Sequence, residues 1–105
     1  REPDGLAMSS RNNYLTDEER GQAPRLQQAL QQFARRVKIE PQAADTQIKE
    51  LRQSLARSGF DVEYLELRRQ SDLGIPQPGD RLLIALIAAR LGQTRLIDNH
   101  IFELE

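Results

Sequence analysis

Cysteine is absent from this chain, histidine occurs once, at His100, and no apolar run approaches the length of a membrane helix. Without thiols there is no disulfide framework and no thiolate metal site, which fits a reducing cytosol. One imidazole makes no His/Cys cluster, so no metal site is expected within the chain. The longest apolar stretch, Leu82 to Ala89, is eight residues, against the ~20 a spanning helix needs. No secretory signal pattern is visible. A surplus of one charge sign is missing too. The net charge is −1 and the pI about 5.9. A general nucleic-acid binder needs a basic excess to release counterions, so any phosphate recognition here has to be local. Neither nucleic acid nor membrane is expected as a partner.

What is present suits a single domain, residues 1–105, with a core that buries about 60–70% of the unfolded chain's surface. The chain opens at Arg1, not Met, in loop-like residues, and reads as an excised or processed fragment. Pro3, Asp4-Gly5, Ser9-Ser10 and Asn12-Asn13 are turn formers. Thr16-Asp17-Glu18-Glu19 then has the spacing of a capping box, so a helix starts near Asp17. Pro24 lacks an amide proton, which predicts a short first helix and a restart. Leu26, Ala29, Leu30, Phe33, Ala34 and Val37 follow helical spacing, with Gln27, Gln28, Gln31, Gln32, Arg35 and Arg36 as the solvated side. Pro41 opens another helical segment, whose stripe is Ile48, Leu51 and Leu55 and whose C-terminal cap is Gly59.

The period then changes. Glu63 to Arg68 alternates as a strand, with Leu65 and Leu67 on one face and Tyr64, Glu66 and Arg68 on the other. Ser71 to Asp80, with two prolines and two glycines, reads as a loop. The apolar density of Arg81 to Leu91 fits a central strand covered on both faces, and an amphipathic helix is the competing reading. Thr94 to Phe102 reads as a strand, and Gly92-Gln93 suits a type II′ hairpin turn before it. The expected fold is an α+β two-layer domain, a three-stranded antiparallel sheet with helices packed on one face.

Chemistry concentrates in Asp4-Gly5-Leu6-Ala7-Met8-Ser9-Ser10-Arg11-Asn12. Two hydroxyls beside a guanidinium can cradle a phosphate, and the helix that follows can add its positive end. The same residues are common in plain surface loops. Elsewhere the bland readings prevail. His100 is expected to be structural or surface-exposed. Asp98-Asn99 suits a strand bulge or a polar link to the preceding turn. Glu63 and Glu66, three apart on a strand, face opposite sides and make no acid/base pair. No catalytic residue is assigned.

Arg1-Glu2-Pro3-Asp4-Gly5-Leu6-Ala7-Met8-Ser9-Ser10-Arg11-Asn12-Asn13-Tyr14-Leu15 closely resembles the R-E-x-D-G-L-A-x-S-S-R-N-x-Y-L segment of the pantothenate synthetase (pantoate–β-alanine ligase) family. Ala88-Ala89-Arg90-Leu91-Gly92 and Thr94-Arg95-Leu96-Ile97-Asp98-Asn99 resemble that family's closing A-A-x-L-G-x-T-R-L-I-D-N. One departure is Arg69-Gln70-Ser71-Asp72-Leu73, where the family often has Asp-Ala-x-Thr-Leu.

The resemblance implies the C-terminal lid domain of a cytoplasmic ligase. With ATP and Mg2+ the whole enzyme would activate pantoate as pantoyl-adenylate, and β-alanine would then attack. The N-terminal Rossmann-like domain, with its histidine pair, lies outside this chain. By position, Met8, Ser9, Ser10 and Arg11 would bind the ATP phosphates, in the manner of the K-M-S-K-S loop of class I aminoacyl-tRNA synthetases. Met8 would pack near the adenine or anchor the loop. The full enzyme would be a homodimer and the isolated domain inactive. The competing readings are a protein-interaction module and a nucleic-acid-binding module; the charge balance weighs against the second.

Overall fold

Thr16 Oγ1 accepts from the Glu19 amide at 3.1 Å and Glu19 Oε1 accepts from the Thr16 amide at 3.0 Å, so the capping box closes in both directions. In the computed structural model, which describes residues 1–104, this box starts α1 (Asp17–Gln22). Pro24 ends that helix and caps the next, α2 (Arg25–Ile39). A 3-10 turn at Pro41–Ala43 leads into α3 (Ala44–Arg57). Gly59 follows at φ 95°, the left-handed backbone that terminates a helix without steric cost only at glycine. Three strands come next, β1 (Phe60–Arg69), β2 (Leu82–Leu91) and β3 (Thr94–Glu103). They form one antiparallel sheet in the order β1-β2-β3.

The expected α+β fold is therefore the observed one, with α2 over β2 and β3, and α3 over β1. The segment read as either strand or helix is the central strand. Leu91 pairs with Thr94 across Gly92-Gln93. Gly92 sits at φ 62° and Gln93 does not share that conformation, as a type II′ turn requires.

Alternation divides the sheet's faces. Leu83, Ala85, Ile87, Ala89 and Leu91 of β2 meet Leu26, Leu30, Phe33 and Val37 of α2 and Leu55 of α3 in the core. Leu82, Ile84, Leu86, Ala88 and Arg90 point the other way. Both long helices lie on one side, yet Ile84 and Ala88 on the other side are also buried, 9% and 0% exposed, so the middle of β2 is covered on both faces as expected. On the open face Leu82, Ile97 and Ile101 remain 51%, 55% and 53% exposed.

One further difference arises from packing. Gln27, expected on the solvated side of α2, is buried under the N-terminal loop, with its amide oxygen against Gly5. Gln47 of α3 is buried as well, its amide nitrogen 3.5 Å from the Arg36 and Glu40 carbonyls at the end of α2. Unsatisfied carbonyls at a helix terminus need donors, and here a neighbouring helix supplies one.

Candidate functional site

The N-terminal loop is fixed to the sheet by a polar clasp and an apolar plug. The Arg1 guanidinium forks onto Asp98 of β3, Nη1 to Oδ2 at 2.8 Å and Nη2 to Oδ1 at 2.6 Å. The same guanidinium donates to the carbonyls of Gly5, at 2.9 Å, and Asn99, at 3.2 Å. Asp4 takes two bonds from Arg20 of α1, at 2.7 and 3.2 Å. These bonds hold the Asp4 carboxyl below the usual carboxylate range. Leu6 is buried in the core beneath.

Asp98 is thus a polar link, as the sequence suggested, but to the far end of the chain and not to the preceding turn. No bulge occurs at Asp98-Asn99, because the β2–β3 register is unbroken. His100 faces the helix side and stacks on Phe102 at a centroid distance of 6.2 Å. Burial, then the nearby Arg1 charge, lowers its pKa.

On this anchored base Ser10–Tyr14 form a single 3-10 turn capped by Ser9, whose Oγ accepts from the Arg11 amide at 3.1 Å. The Asn12 side-chain nitrogen donates to the Ala7 carbonyl at 3.0 Å. Met8, Ser9, Ser10 and Arg11 are all solvent-exposed. Neither the Ser10 hydroxyl nor the Arg11 guanidinium has a partner among the described residues. Ser9 uses a lone pair in its cap and keeps its proton for donation. The help expected from the next helix does not materialise, since the positive end of α1 is occupied by its own capping box and by Asp17, Glu18 and Glu19.

A groove of about 550 Å³ runs between this loop and the sheet, with Met8, Ser9, Arg11, Tyr64, Arg95 and Ile97 among its walls. A second groove of similar volume lies beside it at the hairpin end and shares Arg11 and Arg95. Sequence reading missed Arg95. Its signal was present: Arg90 and Arg95 stand symmetrically about a two-residue turn and must be cross-strand partners.

Glu63 also departs from its expected place. A bulge interrupts β1 between Val62 and Tyr64, and Glu63 is the extra residue. It binds Arg90 and Arg95 on the open face, the face that also carries Glu66. The alternation argument that set the two carboxylates on opposite sides therefore fails, because a bulge inserts one residue and shifts the parity. They still form no acid/base pair. Glu66 is bound to Arg68 at 3.1 Å, and the guanidiniums of Arg95 and Arg90 hold the Glu63 carboxyl below its usual range.

Residues 1–101 match the family model for pantoate-beta-alanine ligase. The chain belongs to the pantoate-beta-alanine ligase family. It is 50% identical to the pantothenate synthetase of Alkalilimnicola ehrlichii, over 99% of this chain and 36% of that protein. It is 46% identical to that of Thioalkalivibrio sulfidiphilus, over 94% and 35%. The chain thus spans about a third of the length of these curated relatives. Its fold is similar to the crystal structure of pantothenate synthetase from Thermus thermophilus, with a TM-score of 0.77 and 34% identity over 95% of this chain and 36% of that one. It also shares the fold of part of the Francisella tularensis pantoate-beta-alanine ligase complexed with beta-gamma ATP and beta-alanine, with a TM-score of 0.62 and 24% identity over 96% and 30%.

Proposed function

We propose that this chain is the C-terminal lid domain of a pantoate–β-alanine ligase, and that Met8, Ser9, Ser10 and Arg11 take hold of the ATP phosphates when it closes. One observation carries the reading: a loop anchored firmly from both sides leaves Ser10 and Arg11 unpartnered at its exposed crest. Residues held in place with nothing to bind are preorganised for a ligand from outside. A guanidinium and two hydroxyls suit phosphate oxygens.

In the proposed reaction the pantoate carboxylate attacks the α-phosphorus and pyrophosphate departs, followed by attack of the β-alanine amine on the acyl-adenylate. The charge that develops on the leaving pyrophosphate is what Arg11 would stabilise. ATP arrives with magnesium. The contribution we assign to this domain is to the phosphate oxygens.

The open sheet face supports the larger frame. Leu82, Ile97 and Ile101 are large apolar side chains left exposed on it, which suits an interaction surface. Roughly two thirds of the relatives' length lies outside this chain. The occupant we assign to it is the N-terminal Rossmann-like domain of the same polypeptide.

In the full-length enzyme, Arg11→Ala is expected to slow single-turnover adenylate formation by roughly 10²–10³, the loss typical of removing one charge-stabilising donor, while the KM for β-alanine changes little. An unchanged adenylation rate would refute the assignment.

A further inference from the structure

Arg90 and Arg95 are directly opposed across the β2–β3 pair, an arrangement in which like charges repel at close range. The fold retains it by an unusual device. The β1 bulge delivers Glu63 to both: Oε1 accepts from Arg90 Nε at 3.1 Å and Oε2 accepts from Arg95 Nε at 2.8 Å. A bulge re-aims a side chain that regular alternation would send elsewhere. Both contacts use the inner nitrogen of the guanidinium. The outer nitrogens make no hydrogen bond among the described residues, though the Tyr64 side chain also acts on Arg95. Arg11 comes to the same groove from the N-terminal loop and has no carboxylate partner among the described residues. Three guanidiniums therefore line a groove of about 550 Å³ that Tyr14, Gln93 and Thr94 complete, and Glu63 joins two of them.

We infer that Arg11, Arg90 and Arg95 form a cradle for a di- or triphosphate, receiving the terminal phosphates of ATP and then the departing pyrophosphate. The proposal rests on the phosphate-loop reading only through Arg11, the residue the two sites share. Glu63 acts as a positioning residue: it fixes both inner nitrogens so that the outer ones converge. The groove is lined by three guanidiniums and no carboxylate, with Glu63 bonded to two of them and Asp61 opposite Arg90 on β1, and so is receptive to a polyanion.

The probe is inorganic pyrophosphate, titrated into the 105-residue chain and followed by amide NMR shifts. Saturable shifts are expected in residues 9–14 and 90–96. Arg90→Gln and Arg95→Gln should each raise the Kd roughly three- to tenfold, as for a charge-assisted contact weakened by solvent exposure. Arg95→Lys, which keeps the charge and loses the fork, should fall between wild type and Arg95→Gln. Arg36→Gln, which removes the same charge in the helix layer, should change the Kd less than about twofold. The spectra themselves report whether each variant is folded. Equal weakening by all of the glutamine variants, or no saturable shift in the wild type, would overturn the cradle. Should Ser10→Ala leave binding unchanged while Arg90→Gln and Arg95→Gln weaken it, the hydroxyl part of the loop reading falls and the cradle stands. The reverse pattern removes the cradle and keeps the loop.

Discussion

Arg1 and Asp98 bind each other through two short bonds, yet burial makes the two ends unequal. The Asp98 side chain is 4% exposed and that of Arg1 is 38%. Removing the guanidinium strands a carboxylate away from water, whereas removing the carboxylate leaves an arginine free to turn outward. Arg1→Ala is therefore expected to destabilise the chain by about 3 kcal/mol and Asp98→Asn by about 1–2 kcal/mol, read from urea unfolding; the opposite order would contradict this account. Next to this pair, His100 has its pKa lowered, chiefly by burial, with Arg1, Lys38 and Arg35 acting in the same direction and Asp98 against. Its linkage is that of a depressed group. Above its ordinary pKa of 6.5 the imidazole is neutral in both states and the fold bears no penalty. Below that value the unfolded chain takes up a proton that the folded chain resists, so stability falls. The drop in urea midpoint between about pH 7.5 and about pH 5.5 should shrink in His100→Gln.

At the scale of elements, the hairpin turn is the sharpest constraint. Gly92 has φ 62°, and a Cβ there would run into the Glu19 carboxylate. Gly92→Ala thus meets backbone strain of about 1–2 kcal/mol and displaces the side chain that completes the α1 capping box. Its cost should exceed that of Thr16→Ala, about 1 kcal/mol for a lost cap, and thermal unfolding of the two variants measures the difference. The helices were legible because their signals are local: a capping box, two prolines, a terminal glycine and a 3.6-residue stripe. The β1 bulge was not, although a trace of it lies in the parity of the apolar residues. Phe60 and Val62 are even, Leu65 and Leu67 are odd, and all four belong to the core or pack against it. One extra residue has to fall between the two pairs, and Glu63 is that residue.

Over the whole molecule, the sheet is a slab with the long helices on one side and a helix-free side on which Ile84 and Ala88 are buried while Leu82, Ile97 and Ile101 are half exposed. Ile101 pairs with Ile84 on that side and is 53% exposed. If that face meets the rest of the ligase, Ile101→Lys should leave the stability of the 105-residue chain within about 0.5 kcal/mol and yet lower the turnover of the full-length enzyme. Urea unfolding of the one and steady-state rates of the other separate the two effects. Strong destabilisation of the isolated chain, or an unaffected full-length rate, would mean that no such contact exists. The two-sided cover expected for β2 is met at Ile84 and Ala88, which are buried within this chain, and is lost only toward the strand's start, where Leu82 is exposed.

The sequence by itself determined where helices begin and stop, where the hairpin turns, the two-layer class and the candidate loop, because each is governed by residues within a few positions of one another. Only the tertiary structure decided that Asp98 clasps Arg1, that Glu63 joins Arg90 to Arg95, and that Arg11 arrives at the same groove. Those partners are separated by 27 to 97 residues. Their meeting depends on strand register and helix packing, which a local pattern constrains but does not specify.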